Sequence, residues 1–349
     1  MKIVALAGGV GGAKLADGLA RVLPLSQVRH SERSEESLSR GAGTLRFAQG
    51  DGPNQSMLTI IVNTGDDFDW MGLRICPDLD TVMYTLAGIA NPQTGWGIEG
   101  DAFEALGMLH QLGGETWFRI GDRDLATDLR RTQLMREGKR LTEAMAMLCQ
   151  SLGIHPNIRI LPMTDATVAT MVDTDEGTLA FQDYFVRRAW QPVIRRIHFQ
   201  GIERARPSIE VKTALDDADL IVLCPSNPFV SIDPIISLSG VREQLREHRT
   251  VAASPIIGGQ AVKGPAAKMF RELGQEPTAL AVARRYADFL DGFVIDRADA
   301  DQRADIESLR IRVLVTDTLM RDAADRSRLA REILGFASTN LPGNPADEI

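Results

Sequence analysis

Residues 2–22 read KIVALAGGVGGAKLADGLARV, and this stretch decides the fold. KIVALA is a short apolar run that ends in glycines. The pattern after it is helical, with Leu15, Leu19 and Val22 on one face. A strand, a glycine turn and a helix in that order open a Rossmann-like, doubly wound α/β domain. The turn itself is Gly8-Gly9-Val10-Gly11-Gly12-Ala13-Lys14. Glycines at a helix start let backbone N–H groups approach a phosphate. The pattern is not a P-loop, because Lys14 follows Ala13 and precedes Leu15. Nor is it a clean G-x-G-x-x-G, since Lys14 stands at the third position. The spacing predicts phosphate or nucleotide contact at Gly8, Gly9, Gly11, Gly12 and Lys14, against a plain tight turn.

The rest of the chain continues the α/β alternation. Strands are expected at Leu58–Val62, Arg159–Pro162, Asp219–Leu223, Thr250–Ala253, Gly292–Ile295 and Val313–Val315. DLIVL at 219–223 is nearly continuous in apolar residues, as a strand covered on both faces should be. A hairpin elaboration, Val168–Val172 with Thr178–Phe181, turns around Thr174–Gly177. Helices are expected at Asp80–Leu86, Ala102–Leu112, 123–152 (broken at Gly138) and Asp322–Leu334. Residues 99–153 read as a lid-like helical insertion. Residues 26–56 are polar, without a period of 2 or 3.6, and read as a disordered insertion of about 31 residues where connections usually run about 2–6. The expectation is one domain over 1–337 and a frayed tail over 338–349.

Composition excludes several functions. The 349 residues carry 39 Lys+Arg against 47 Asp+Glu, a net charge of −8. Such a balance argues against nucleic acid as partner, but not against a nucleotide in a donor-rich pocket. No apolar run reaches 18 residues, so no membrane span is expected. Cys76, Cys149 and Cys224 are odd in number and far apart, which suits reduced thiols in the cytoplasm. The five histidines show no metal spacing, so zinc chemistry and a Cys/His nucleophile are not expected.

Five more segments carry chemistry. Asn63-Thr64-Gly65-Asp66-Asp67 ends the second strand, where open α/β sheets bind ligands. Its carboxylates suit a Mg²⁺ ion or a ribose hydroxyl. Without the insertion, Asp66 lies about 23 residues past Gly12, near the spacing of dinucleotide enzymes, which leaves a nicotinamide-dependent oxidoreductase open. In Cys76-Pro77-Asp78-Leu79-Asp80, Asp78 suits a helix cap, while Asp80 can face the cleft as base or metal ligand. Arg123, in Gly121-Asp122-Arg123-Asp124, is either a phosphate clamp or a structural ion pair. Ser226 and Asn227 follow one strand; Ser254, Gly258 and Gly259 follow another. With the glycine turn and Asn63–Asp67 they make four strand-end loops, all expected on one edge of the sheet.

An ordered series of motifs then resembles the 2-phospho-L-lactate transferase family, CofD. The series includes LAGGVGGAKLADGL (6–19), NTGDDFDWMGLRICPDLDTVMYTLAG (63–88), WGIEGD (96–101) and GDRDLATDLRRTQ (121–133). It continues with LPMTD (161–165), FQDYFV (181–186), LCPSNPFVSIDPII (223–236), SPIIGGQAVKGPAAK (254–268) and VTDTLM (315–320). The resemblance spans Met1 to about Ala337 and breaks only at 26–56. It implies transfer of a phosphorylated three-carbon acid from a guanosine diphosphate adduct to the deazaflavin precursor FO. GMP leaves, Mg²⁺ is required, the product belongs to coenzyme F-420 biosynthesis, and a homodimer is implied. The guanosine end would meet the glycine turn, Ser226–Asn227 and Ser254–Gly259; FO would lie near Asp80 and Arg123. A metal is expected among Asp66, Asp67 and Asp80. A related family of nucleotide-sugar-binding regulators shares the glycine-rich opening and stays as an alternative.

Overall fold

The computed structural model describes residues 1–24 and 56–341. The polar segment expected over 26–56 lies outside the described residues except for Ser56, as does the tail beyond Leu341.

Seven parallel strands form the central sheet: β1 (Lys2–Ala7), β2 (Met57–Val62), β3 (Ile158–Pro162), β4 (Leu220–Leu223), β5 (Thr250–Ala253), β6 (Gly292–Asp296) and β7 (Arg312–Thr316). Their spatial order is β7-β6-β5-β4-β1-β2-β3. The order runs outward in both directions from β1, so a topological switch lies between β1 and β4. Register is set there by Ile3 opposite Leu220 and on the other side by Ile3 opposite Leu58.

The period-2 alternation of β1 explains why both faces are covered. Val4 and Leu6 enter one apolar cluster, while Ile3, Ala5 and Ala7 enter the other. The second layer is built by helices α1 (Gly9–Val22), α2 (Pro77–Leu86), α4 (Leu141–Ser151) and α5 (Ala323–Asn340). Between α2 and α4 runs α3 (Asp122–Arg136). Shorter helices over 209–216, 233–236, 241–247, 266–272 and 279–286 cover the first face.

The expected elements are present with shifted ends. Pro77 begins α2 three residues early, because proline has no N–H to lose in a first helical turn. The break expected at Gly138 in 123–152 is present, with Gly138 at φ 88° between α3 and α4. Only the first half of 123–152 belongs with the lid-like stretch. Trp70, Ile75 and Ile120 form a small core of their own, flanked by Phe68, Leu106, Leu109, Trp117, Phe118 and Leu125. In contrast, α4 buries Leu141, Met145, Leu148 and Cys149 in the main core. The hairpin (Ala169–Thr174, Gly177–Ala180) gains a third strand, Ile194–Gln200, which sequence reading missed. Its IRRIHFQ alternates only loosely and leaves both arginines exposed.

Gly18 shows how tightly α1 is seated. A Cβ there would stand 2.3 Å from the Arg326 carbonyl oxygen on α5. Alanine normally favours a helix interior by about 1 kcal/mol over glycine. Here the clash must win, because backbone cannot yield as a flexible side chain would. Gly18→Ala is therefore expected to destabilise the fold by about 1–3 kcal/mol in urea unfolding. Stability equal to or above the parent would refute this packing argument.

Candidate functional site

The carboxyl ends of β1, β2, β4 and β5 carry the four loops singled out above. They meet at the switch point, the place where such sheets bind ligands. The glycine turn is stitched to the loop after β4. Ser226 Oγ accepts from the Gly8 N–H at 3.1 Å and donates to the Gly8 carbonyl at 2.8 Å. A Cβ on Gly11 would sit 2.3 Å from the Pro225 carbonyl oxygen, and one on Gly12 would sit 2.6 Å from Ser226 Oγ. These glycines are thus required by loop-on-helix contact before any ligand is considered.

Asp78 takes a different role from the helix cap expected of it. The start of α2 has no side-chain cap. The Asp78 carboxylate instead faces the glycine turn, accepting from Asn63 Nδ2 at 3.0 Å and from the Gly9 N–H. Burial raises its pKa to about 6. The N–H groups of both Gly8 and Gly9 are therefore already bonded within the protein. Lys14 Nζ donates to the Met320 carbonyl at 2.8 Å.

The other predicted loop residues are also fixed by their neighbours. Asn227 Oδ1 accepts from the Phe229 N–H at 3.0 Å. Ser254 Oγ closes a turn of its own, accepting from the Ile256 N–H at 3.1 Å. Gly258 and Gly259 have φ of 56° and 75° and form the two-residue turn of a small hairpin, Ile256–Ile257 with Gln260–Ala261. Arg123 Nη1 donates to the Glu99 carbonyl at 3.1 Å. Around it, two aspartates exchange helix caps. Asp101 accepts from the Arg123 and Asp124 N–H groups, and Asp122 accepts from those of Glu104 and Ala105. The motifs WGIEGD and GDRD are one reciprocal lock.

The three aspartates expected to share a metal divide into two groups. Asp66 and Asp67 are buried beneath the hairpin sheet, where Gln182 Nε2 donates to the Asp66 carbonyl at 3.2 Å. Among the described residues, Asp66 Oδ1 and both carboxylate oxygens of Asp67 have no donor at hydrogen-bonding geometry, with the Cys76 thiol near enough to Asp67 to act against the rise in its pKa. Arg74 lies 3.6 Å from Asp67, too far for a hydrogen bond. Burial, followed by the Asp78 charge, holds the Asp66 carboxyl well above its ordinary range. Burial likewise raises Asp67 to about 7, against the pull of Arg74. Orphaned buried carboxylate oxygens of this kind fit a hard divalent cation, which takes one or two carboxylates and completes its shell with water or phosphate oxygens.

Asp80 belongs to the second group. Its carboxylate meets the fully buried Arg131, which also bonds Asp128 and donates to the Arg74 carbonyl at 3.2 Å. Asp124 completes the group, with Tyr84 donating to it at 2.7 Å. One ligand oxygen from each of Asp80, Asp124 and Asp128 lies within 4.8 Å of the others. Sequence reading did not reach Asp124, Asp128 or Arg131 as a unit. Their spacing along α3 was the available signal, since residues four and seven apart share a helix face.

The family model described as 2-phospho-L-lactate transferase CofD matches residues 3–319. The chain belongs to the CofD family. It is 42% identical over 299 residues to the 2-phospho-L-lactate transferase of Methanopyrus kandleri, covering 85% of this chain and 95% of that one. It is 37% identical over 345 residues to the phosphoenolpyruvate transferase of Streptomyces griseus, covering 97% and 98%. A solved UPF0052-family protein from Bacillus halodurans shares the fold, with a TM-score of 0.56, 13% identity and coverage of 95% and 98%. No helix among the described residues is long and apolar enough to cross a membrane.

One guanidinium cannot neutralise three carboxylates. Burial, then repulsion from Asp80, raises Asp124 to about 7 and Asp128 to about 9. Their folded-state pKa values lie above those of the unfolded chain. They therefore contribute stability at low pH that is lost as pH rises toward 9. Asp128→Asn is expected to flatten this fall. Urea midpoints at pH 5, 7 and 9, measured with a chelator, would show it; an unchanged slope would contradict the assignment.

Proposed function

We propose that this chain transfers a phospholactate or phosphoenolpyruvate group from a guanosine diphosphate adduct to FO, releasing GMP, as a step in coenzyme F-420 biosynthesis. The observation that carries the reading is near-full-length kinship with transferases named for these two groups. A bond forms between the FO hydroxyl oxygen and the phosphorus of the three-carbon acid, while the bridging bond to GMP breaks. Catalysis of such a transfer rests on positioning and charge neutralisation.

The chain's own groups suit that task. Asp66 and Asp67 would hold Mg²⁺ through their orphaned oxygens. When bound, Mg²⁺ supplies charge compensation for the diphosphate. Ser226 and Pro225 hold the glycine turn rigid at the switch point. Asp80 has its place through Arg131, which ties α2 to α3 and so fixes one wall of the cleft. Direct transfer is favoured over a thiol intermediate. All three cysteines are buried, and burial pushes their thiols up, Cys149 to about 12.

Mass spectrometry of reactions containing FO, Mg²⁺ and each adduct should detect the coupled product and GMP together. Absence of product from every adduct would overturn the reading. Asp67→Asn should weaken Mn²⁺ binding, measured by electron paramagnetic resonance, and lower Mg²⁺-dependent turnover by at least about tenfold. Unchanged Mn²⁺ binding would remove Asp67 from the metal set.

A further inference from the structure

Two lysines stand at the first turns of α1 without a carboxylate partner among the described residues. Lys14 Nζ is held only by the Met320 carbonyl, and Lys263 Nζ by the Thr94 carbonyl. The neighbouring Arg326 is different, since Asp17 pairs with it at 3.1 Å. In a chain of net charge −8, two adjacent ammonium groups satisfied only by backbone carbonyls are unexpected.

Val10 and Lys14 lie four residues apart on α1 and share a face, and Lys263 reaches that face beside Val10. The loop 90–98 is closed by a bridge between Ala90 and Ile98, and its tip leans on α1. A Cβ on Gly95 would stand 2.7 Å from Val10 Cγ1 and 3.1 Å from Lys263 Nζ. Gly95 has φ 76° as well, so both conformation and space call for glycine here. Lys263 reaches this point from the loop that follows the Gly258–Gly259 hairpin. It thereby spans from the β5 side of the cleft to the 90–98 loop, across the start of α1. Partial burial lowers the pKa of each lysine, and for Lys14 the charges of Arg326 and Lys263 add to the effect. An anion between them would relieve both strains. Asp78 holds the Gly9 side of the turn, which leaves the Lys14 side for that anion.

We propose that Lys263 and Lys14 form a two-lysine clamp for the diphosphate of the substrate, with Lys263 exchanging the Thr94 carbonyl for a phosphate oxygen. This deepens the transferase reading and rests on it for the identity of the natural ligand. The exchange releases the 90–98 loop from Lys263, so the loop should respond to ligand. Trp96, half-exposed in that loop, is the reporter.

The test is titration of the metal-free full chain with inorganic pyrophosphate, followed by Trp96 emission and by calorimetry. Saturable binding with an emission change is expected, and the emission change should be lost in Trp96→Phe. Lys263→Met should weaken binding by about tenfold or more, as for loss of a charge-assisted hydrogen bond, while Lys263→Arg should largely retain it. Lys263 is exposed on a loop, so the methionine variant is expected to fold. Pyrophosphate affinity unchanged in Lys263→Met would overturn the clamp, as would no calorimetric binding in the parent chain. Lysine-dependent pyrophosphate binding without GMP release from any adduct would support the clamp and sink the transferase reading. GMP release with unchanged KM in Lys263→Met would do the reverse.

Discussion

The structure depends on one contact, the seating of the glycine turn against the Pro225–Asn227 loop. Ser226 Oγ bonds both backbone groups of Gly8, and Gly11 and Gly12 leave no room for a side chain beside that loop. This contact joins the ends of β1 and β4, the two parallel strands between which the strand order reverses. Were it looser, the loops after β2 and β5 would still form, but they would not converge on a common cleft. Glycine here acts through close approach of backbone to backbone, which explains why four glycines crowd into five positions.

Around that contact the protein buries an unusual amount of negative charge. Asp66, Asp67, Asp78 and Asp80 all lie inside within fifteen residues of chain. Each has a different answer to burial. Asp78 accepts hydrogen bonds from Asn63 and the Gly9 backbone. Asp80 pairs with Arg131. Among the described residues, Asp66 and Asp67 keep oxygens with no donor at hydrogen-bonding geometry, and buried carboxylates in that state hold their protons more tightly or take a cation. Positive charge is divided in the same way. Arg131 is consumed by its acids, whereas Lys14 and Lys263 rest on backbone carbonyls.

The sequence by itself determined the strand–turn–helix opening, the seven strand positions and the edge of the sheet on which the polar loops fall. It could do so because apolar periodicity and glycine placement are local properties, set by burial of one face and by allowed backbone angles. The ordered motifs determined the family for a similar reason, since they mark the ends of those elements. Only the tertiary structure decided the partner of each charged side chain. Asp78 reads as a cap for its own helix but bonds to the glycine turn of another. Arg123 reads as either a phosphate clamp or a structural ion pair, and in the fold its guanidinium donates to the Glu99 carbonyl; Arg131, unmarked in the sequence, is the cation at Asp80. The pairing of Lys263 with Thr94 joins residues 169 positions apart. Which charges meet, and which are left without a partner, depends on distances across the fold that local periodicity does not encode.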